Sequence, residues 1–258
     1  MKIAIFAIHG IGNNGPDFAN EFVTLLESQT KDLTNVELKV FPCSWKDLVR
    51  TTEDQLDSKI VNLGWKTLRM FMIEFVGDAV AYQLSDTTND VYSAIHQRVD
   101  SVLSEASDWL GDDGVLLWIG HSLGTIITNN FIWDVQNKDS DGNKYYTASL
   151  KSQKALQSLK TLFTIGSPIL VWSLANTGGG EPINVSKWLN IYSDYDVIGY
   201  PIKKINQAYA KDDRIIDIEL NVGGLISKYF PTSHMYYFTN EKFVNIIVNE
   251  CNRMQNKL

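Results

Sequence analysis

The stretch Val115-Leu116-Leu117-Trp118-Ile119-Gly120-His121-Ser122-Leu123-Gly124 decides the fold. The apolar run Val115 to Ile119 has the length of a buried strand and is too short for a helix. It leads through Gly-His-Ser-Leu-Gly into Thr125-Ile126-Ile127-Thr128-Asn129-Asn130-Phe131, which has a helical pattern. Strand, sharp turn and helix follow in order, with a serine at the turn. A serine held there is pushed toward positive φ, and its hydroxyl stands clear of the sheet. Gly120 and Gly124, two positions to either side, let neighbouring backbones pass closely. The helix that starts there aims backbone N–H groups and its positive dipole end at the spot where an oxyanion would form, and the Leu123 amide is the natural first donor.

Outward from this turn, short apolar runs alternate with helical patterns. Strands are expected at 2–8, 36–42, 114–119, 160–165, 188–193 and 213–219, and helices near 16–30, 46–60, 63–83, 88–110, 122–137, 202–210 and 240–256. That alternation predicts an α/β fold, a mostly parallel sheet with helices on both faces. The stretch 44–113 between the second and third strands is far longer than a single crossover needs, and it predicts an extra helical insertion that could act as a cap. On a helical wheel, Trp65, Leu68, Phe71, Met72, Phe75, Val76, Ala79 and Tyr82 share one half of 63–83, and Lys66, Arg69, Glu74 and Asp78 share the other. The apolar half fits core packing, or else a lining for an acyl pocket or a lipid surface. Residues 138–143 and 174–182, the latter with Gly178-Gly179-Gly180, read as loops, the glycines as a mobile flap. Neither divides the chain, and 1–258 is expected to be a single domain.

Composition excludes several functions. The net charge of -7 and pI near 5.1, with no basic cluster, argue against nucleic-acid binding. The charges within 63–83 rule that stretch out as a membrane span. Met1 to Gly10 has too short an apolar run for a secretory signal. Cys43 and Cys251 are far apart and read as small buried hydrophobes, so a cytoplasmic setting is expected. His and Cys never fall at ligand spacing, and Gly178-Gly179-Gly180 lacks the Lys-Ser/Thr of a phosphate loop, so no metal or organic cofactor is expected.

A serine hydroxyl needs a base to take its proton, and the base needs an acid to fix its tautomer. The chain holds four histidines. His121 adjoins the serine and should point away from its Oγ. His96 lies mid-helix, where a surface or packing role is expected, and His9 ends the first strand. His234, in a loop between the last strand and the last helix, is the candidate base. The acid should lie between Ser122 and His234 in the chain; Asp194 and Asp196 both qualify, and Asp196 is favoured.

Five segments together resemble bacterial serine esterases and lipases of the α/β-hydrolase superfamily. They are Ile8-His9-Gly10-Ile11-Gly12, Gly120 to Gly124, Gly166-Ser167-Pro168, Asp196-Val197-Ile198 and Ser233-His234-Met235-Tyr236. The resemblance spans nearly the whole chain. It implies the α/β-hydrolase fold, a triad of Ser122, His234 and Asp196, and a second oxyanion donor at the Ile11 amide beside that of Leu123. It also implies cleavage of a small-molecule acyl ester or a lipid through an acyl-enzyme. The chain departs from secreted lipases in having no signal-like start and no expected disulfide, which favours a soluble acyl ester. Rival readings are a thioesterase or peptidase-like hydrolase, or a catalytically silent protein that uses helices 63–83 and 88–110 to bind a partner.

Overall fold

The computed structural model describes residues 1–10, 15–31, 33–49, 73, 76–80, 82, 90–175, 180–222 and 232–256. Six strands form one sheet: β1 (Lys2–Ile8), β2 (Glu37–Cys43), β3 (Val115–His121), β4 (Leu159–Ile165), β5 (Trp188–Tyr192) and β6 (Ile215–Glu219). Their order is β2-β1-β3-β4-β5-β6, and every pairing is parallel. The helices are α1 (Asn20–Gln29), α2 (Asp90–Leu110), α3 (Leu123–Gln136), α4 (Leu150–Gln157), α5 (Ile169–Ala175), α6 (Gln207–Lys211), α7 (Thr232–Met235) and α8 (Glu241–Gln255).

Side chains alternate across a strand, so β1 feeds two cores. Ala4, Phe6 and Ile8 join Ile95, Val99, Leu103, Ile127 and Phe131 from α2 and α3 on one face. Ile3, Ile5 and Ala7 join Phe22 and Leu26 of α1 and Phe243, Ile247 and Cys251 of α8 on the other. A parallel sheet buried on both faces explains why β1 and β3 read as unbroken apolar runs. Such a sheet, with a sharp serine turn at the carboxyl end of a central strand, is the architecture of the α/β-hydrolase fold. No described helix is long and apolar enough to cross a membrane. Cys43 and Cys251 are both free and buried.

Several boundaries differ from expectation. Residues 16–30 begin as a 3-10 turn, Pro16–Ala19, before α1. The described start of the 46–60 candidate is another 3-10 turn, Lys46–Leu48, and residues 50–72 lie outside the described set. The 202–210 candidate splits into a turn, Ile202–Lys204, and α6, because Asn206 between them caps α6 by accepting from the amides of Ala208 and Tyr209. Three helices, α4, α5 and the single turn α7, were not foreseen, and α7 holds His234, which the sequence placed in a loop.

Within 63–83, residues 73, 76–80 and 82 are helical. Ala79 and Tyr82 are buried as the wheel predicts, but Val76 is half exposed and Asp78 is fully buried. Asp78 tolerates burial because both carboxylate oxygens accept from Lys46 Nζ at 2.8 Å. The pair fastens this helix to the turn after β2.

Candidate active site

The loops at the carboxyl ends of the strands bring distant residues together, which is where open α/β sheets place their sites. Ser122 follows β3 with φ 52° and ψ -126°, a left-handed backbone that few non-glycine residues adopt. Its amide donates to Ile165 O at 3.0 Å, holding the turn on β4. Neighbouring backbones close in. A methyl group on Gly10 would overlap Ser122 Cβ and stand 3.0 Å from its Oγ, and one on Gly124 would overlap His9 O. Three glycines, at 10, 120 and 124, thus make room for one strained serine.

Asp196, after β5, and His234, in α7 after β6, are both buried. His234 Nδ1 lies 2.8 Å from Asp196 Oδ2. The same oxygen accepts from Tyr237 Oη at 2.9 Å, and Asp196 Oδ1 accepts from the Ile198 amide at 2.9 Å. Burial pushes the Asp196 pKa up, but the charge of His234 and these three hydrogen bonds outweigh it, and the carboxyl is held below the usual carboxylate range. Burial pushes the Tyr237 hydroxyl well above its ordinary value, so it stays a neutral donor. A methyl group on Gly166, which follows the Ile165 carbonyl bonded to Ser122, would lie 3.0 Å from both His234 Cε1 and Asp196 Oδ2. That glycine therefore adjoins all three elements. Asp194 is exposed, and no bond joins it to His234 among the described residues.

Ser122 Oγ is buried and has no hydrogen-bond partner among the described residues. No hydrogen bond joins Ser122 Oγ to His234 among the described residues. The Leu123 amide opens α3, where the first backbone donors have no partner within the helix. Ile11 lies outside the described residues.

The other histidines have roles that the sequence did not disclose. His9 is buried and stacks on Trp45, ring centres 5.2 Å apart. Its Nδ1 lies 2.6 Å from Gly10 O, and its Nε2 accepts from the Trp45 amide at 3.4 Å, so Nδ1 carries the hydrogen. Burial lowers its pKa to about 4. His96 is buried rather than on the surface, packed on Tyr92 with Nε2 3.1 Å from Asp134. His121 Nε2 lies 2.9 Å from His234 O, turned toward the backbone of that residue. Tyr237 and His121 are the site residues that sequence reasoning missed; Tyr237 stands three positions after His234 in a segment whose chemistry offered no signal. Among the described residues no group of acidic, His or Cys side chains is arranged to hold a metal ion.

No family model matches the chain, and no curated protein matches it. Solved structures do match. One is a provisionally named hydrolase of the α/β superfamily from Xanthomonas campestris pv. campestris, 14% identical over 95% of this chain and 97% of that one, with a TM-score of 0.40. Another is an acetyl xylan esterase, 9% identical over 97% of both chains, with a TM-score of 0.41. These likenesses are remote, and the reading of the site rests on its own geometry.

Proposed function

We propose that the chain is a serine hydrolase that cleaves a carboxylic ester, a small acyl ester or a lipid, through an acyl-enzyme. The observation that carries this reading is the buried hydroxyl of Ser122, without a hydrogen-bond partner among the described residues and held on a strained turn at the sheet edge that also carries the His234–Asp196 pair. Strain and an unsatisfied buried hydroxyl both cost stability, and a fold keeps them where they do chemistry. Ser122 Oγ attacks the carbonyl carbon while His234 Nε2 takes its proton. The Leu123 amide, with the Ile11 amide as second donor, holds the oxygen that becomes negative. His234 then returns the proton to the departing alcohol, and a water repeats the sequence to free the acid. Asp196 keeps His234 in the tautomer with hydrogen on Nδ1 and stabilises it when it becomes positive.

The test is Ser122→Ala assayed with short- and long-chain p-nitrophenyl esters. A loss of about 10⁴-fold or more in kcat is expected. A much smaller loss would overturn the assignment. A preference for longer chains would support an acyl pocket lined by part of the inserted stretch 44–113, and no preference would leave its apolar residues to core packing.

A further inference from the structure

His121 closes β3 one residue before Ser122 and is buried. Its Nε2 lies 2.9 Å from the main-chain oxygen of His234, 113 residues further along the chain. A carbonyl oxygen only accepts, so Nε2 carries the hydrogen and His121 is the donor. Packing fixes the ring as well: its centre lies 5.0 Å from that of His234, 5.9 Å from Tyr237 and 5.6 Å from Phe238. Burial, and next the charge His234 can carry, lower the pKa of His121 to about 3, which keeps it a neutral donor.

The element that presents His234 is a single turn, Thr232–Met235, too short to hold its own position. Ser233 Oγ donates to Tyr195 O at 3.0 Å, and His234 Nδ1 meets Asp196 at 2.8 Å, so two bonds fix the turn relative to the loop of the acid. The bond from His121 fixes it relative to the strand that ends in the serine.

We propose that His121 is a positioning residue, which through its Nε2–H bond to the His234 carbonyl sets the distance and angle between the His234 imidazole and Ser122. This role rests on the serine-hydrolase reading. It gives the histidine inside the Gly120–Gly124 turn a function distinct from packing: it gauges the gap across which a proton moves.

Two variants test it. His121→Phe keeps an aromatic ring and removes the donor, and His121→Gln restores an N–H at similar reach. Both are assayed with p-nitrophenyl butyrate, with active sites counted by fluorophosphonate titration so that misfolded protein drops out. His121→Phe is expected to lower kcat per site by roughly 10- to 100-fold, since a displacement of about 1 Å at a reacting pair can cost that much, with KM changed less than about threefold. His121→Gln should return to within about fivefold of wild type. Wild-type kcat in His121→Phe, or a His121→Gln variant as impaired as His121→Phe, overturns the role. If the variants do not fold, nitrogen NMR of the wild-type imidazoles decides, because hydrogen on Nδ1 of His121 at pH 7 overturns the bond. A wild-type protein that neither hydrolyses esters nor takes the probe overturns the serine-hydrolase reading and this role with it.

Discussion

Gly10 has no room for a side chain, because a methyl group there would overlap Ser122 Cβ. Gly10→Ala should therefore displace the serine, destabilise the fold by about 1–3 kcal/mol as overpacking does, and reduce ester turnover in the fraction that folds. Thermal melts and active-site titration check both parts; unchanged stability with unchanged kcat would contradict the close approach. The proposed acid, Asp196, can be separated from its neighbour in the same way. Asp196→Asn should cost about 10⁴-fold in kcat by letting His234 adopt the wrong tautomer, and Asp194→Asn should cost little. The reverse pattern would move the acid to Asp194. The sequence favoured Asp196 without fixing the choice, because both carboxylates sit in one loop; in the folded chain it is Asp196 that meets His234 Nδ1. Ser122 and His234 could be picked out as candidates because chain order and strand-turn-helix context are themselves constraints. His121 and Tyr237 were not, since their partners are a carbonyl and a carboxylate far away in the chain.

Elements with apolar periodicity were read well, and those held by polar contacts were not. All six strands fall where the apolar runs predict, within about two residues. The α4 sequence Leu-Lys-Ser-Gln-Lys-Ala-Leu-Gln has too few apolar residues to show a stripe, yet Ser149 caps it by accepting from the Ser152 amide, and that signal was present in the chain. Pro168 just ahead of α5 was a similar cue. Asp78 misled the wheel because its partner, Lys46, lies on another element. Lys46→Met should remove both bonds that Lys46 Nζ makes to that buried carboxylate, costing about 1.5–3 kcal/mol and loosening the helix around 76–80. Hydrogen exchange across that helix, with thermal melts, measures this; equal protection in the variant would contradict the pairing.

Across the whole molecule, the carboxyl edge of the sheet carries buried histidines that fold in the neutral form. Burial is the largest cause in His9 and His121, whose pKa values fall from 6.5 to about 4 and about 3. Between these values and 6.5 the unfolded chain binds protons that the folded chain refuses, so stability is full above about pH 6.5 and falls as the pH drops. Two such groups give a slope approaching ~2.7 kcal/mol per pH unit near pH 5. Asp196 acts lower down, because its depressed pKa preserves its contribution until the pH falls below the ordinary carboxylate range. Urea unfolding at pH 7, 6 and 5 checks the slope, and a flat profile would contradict neutral burial of the two imidazoles.

In the proposed reaction one serine hydroxyl among many is reactive. Incubating the protein with a fluorophosphonate probe and locating the adduct by peptide mass spectrometry tests it most directly. One adduct is expected, on Ser122, formed far more slowly in His234→Ala. An unlabelled protein, or a label placed on another serine, would contradict it.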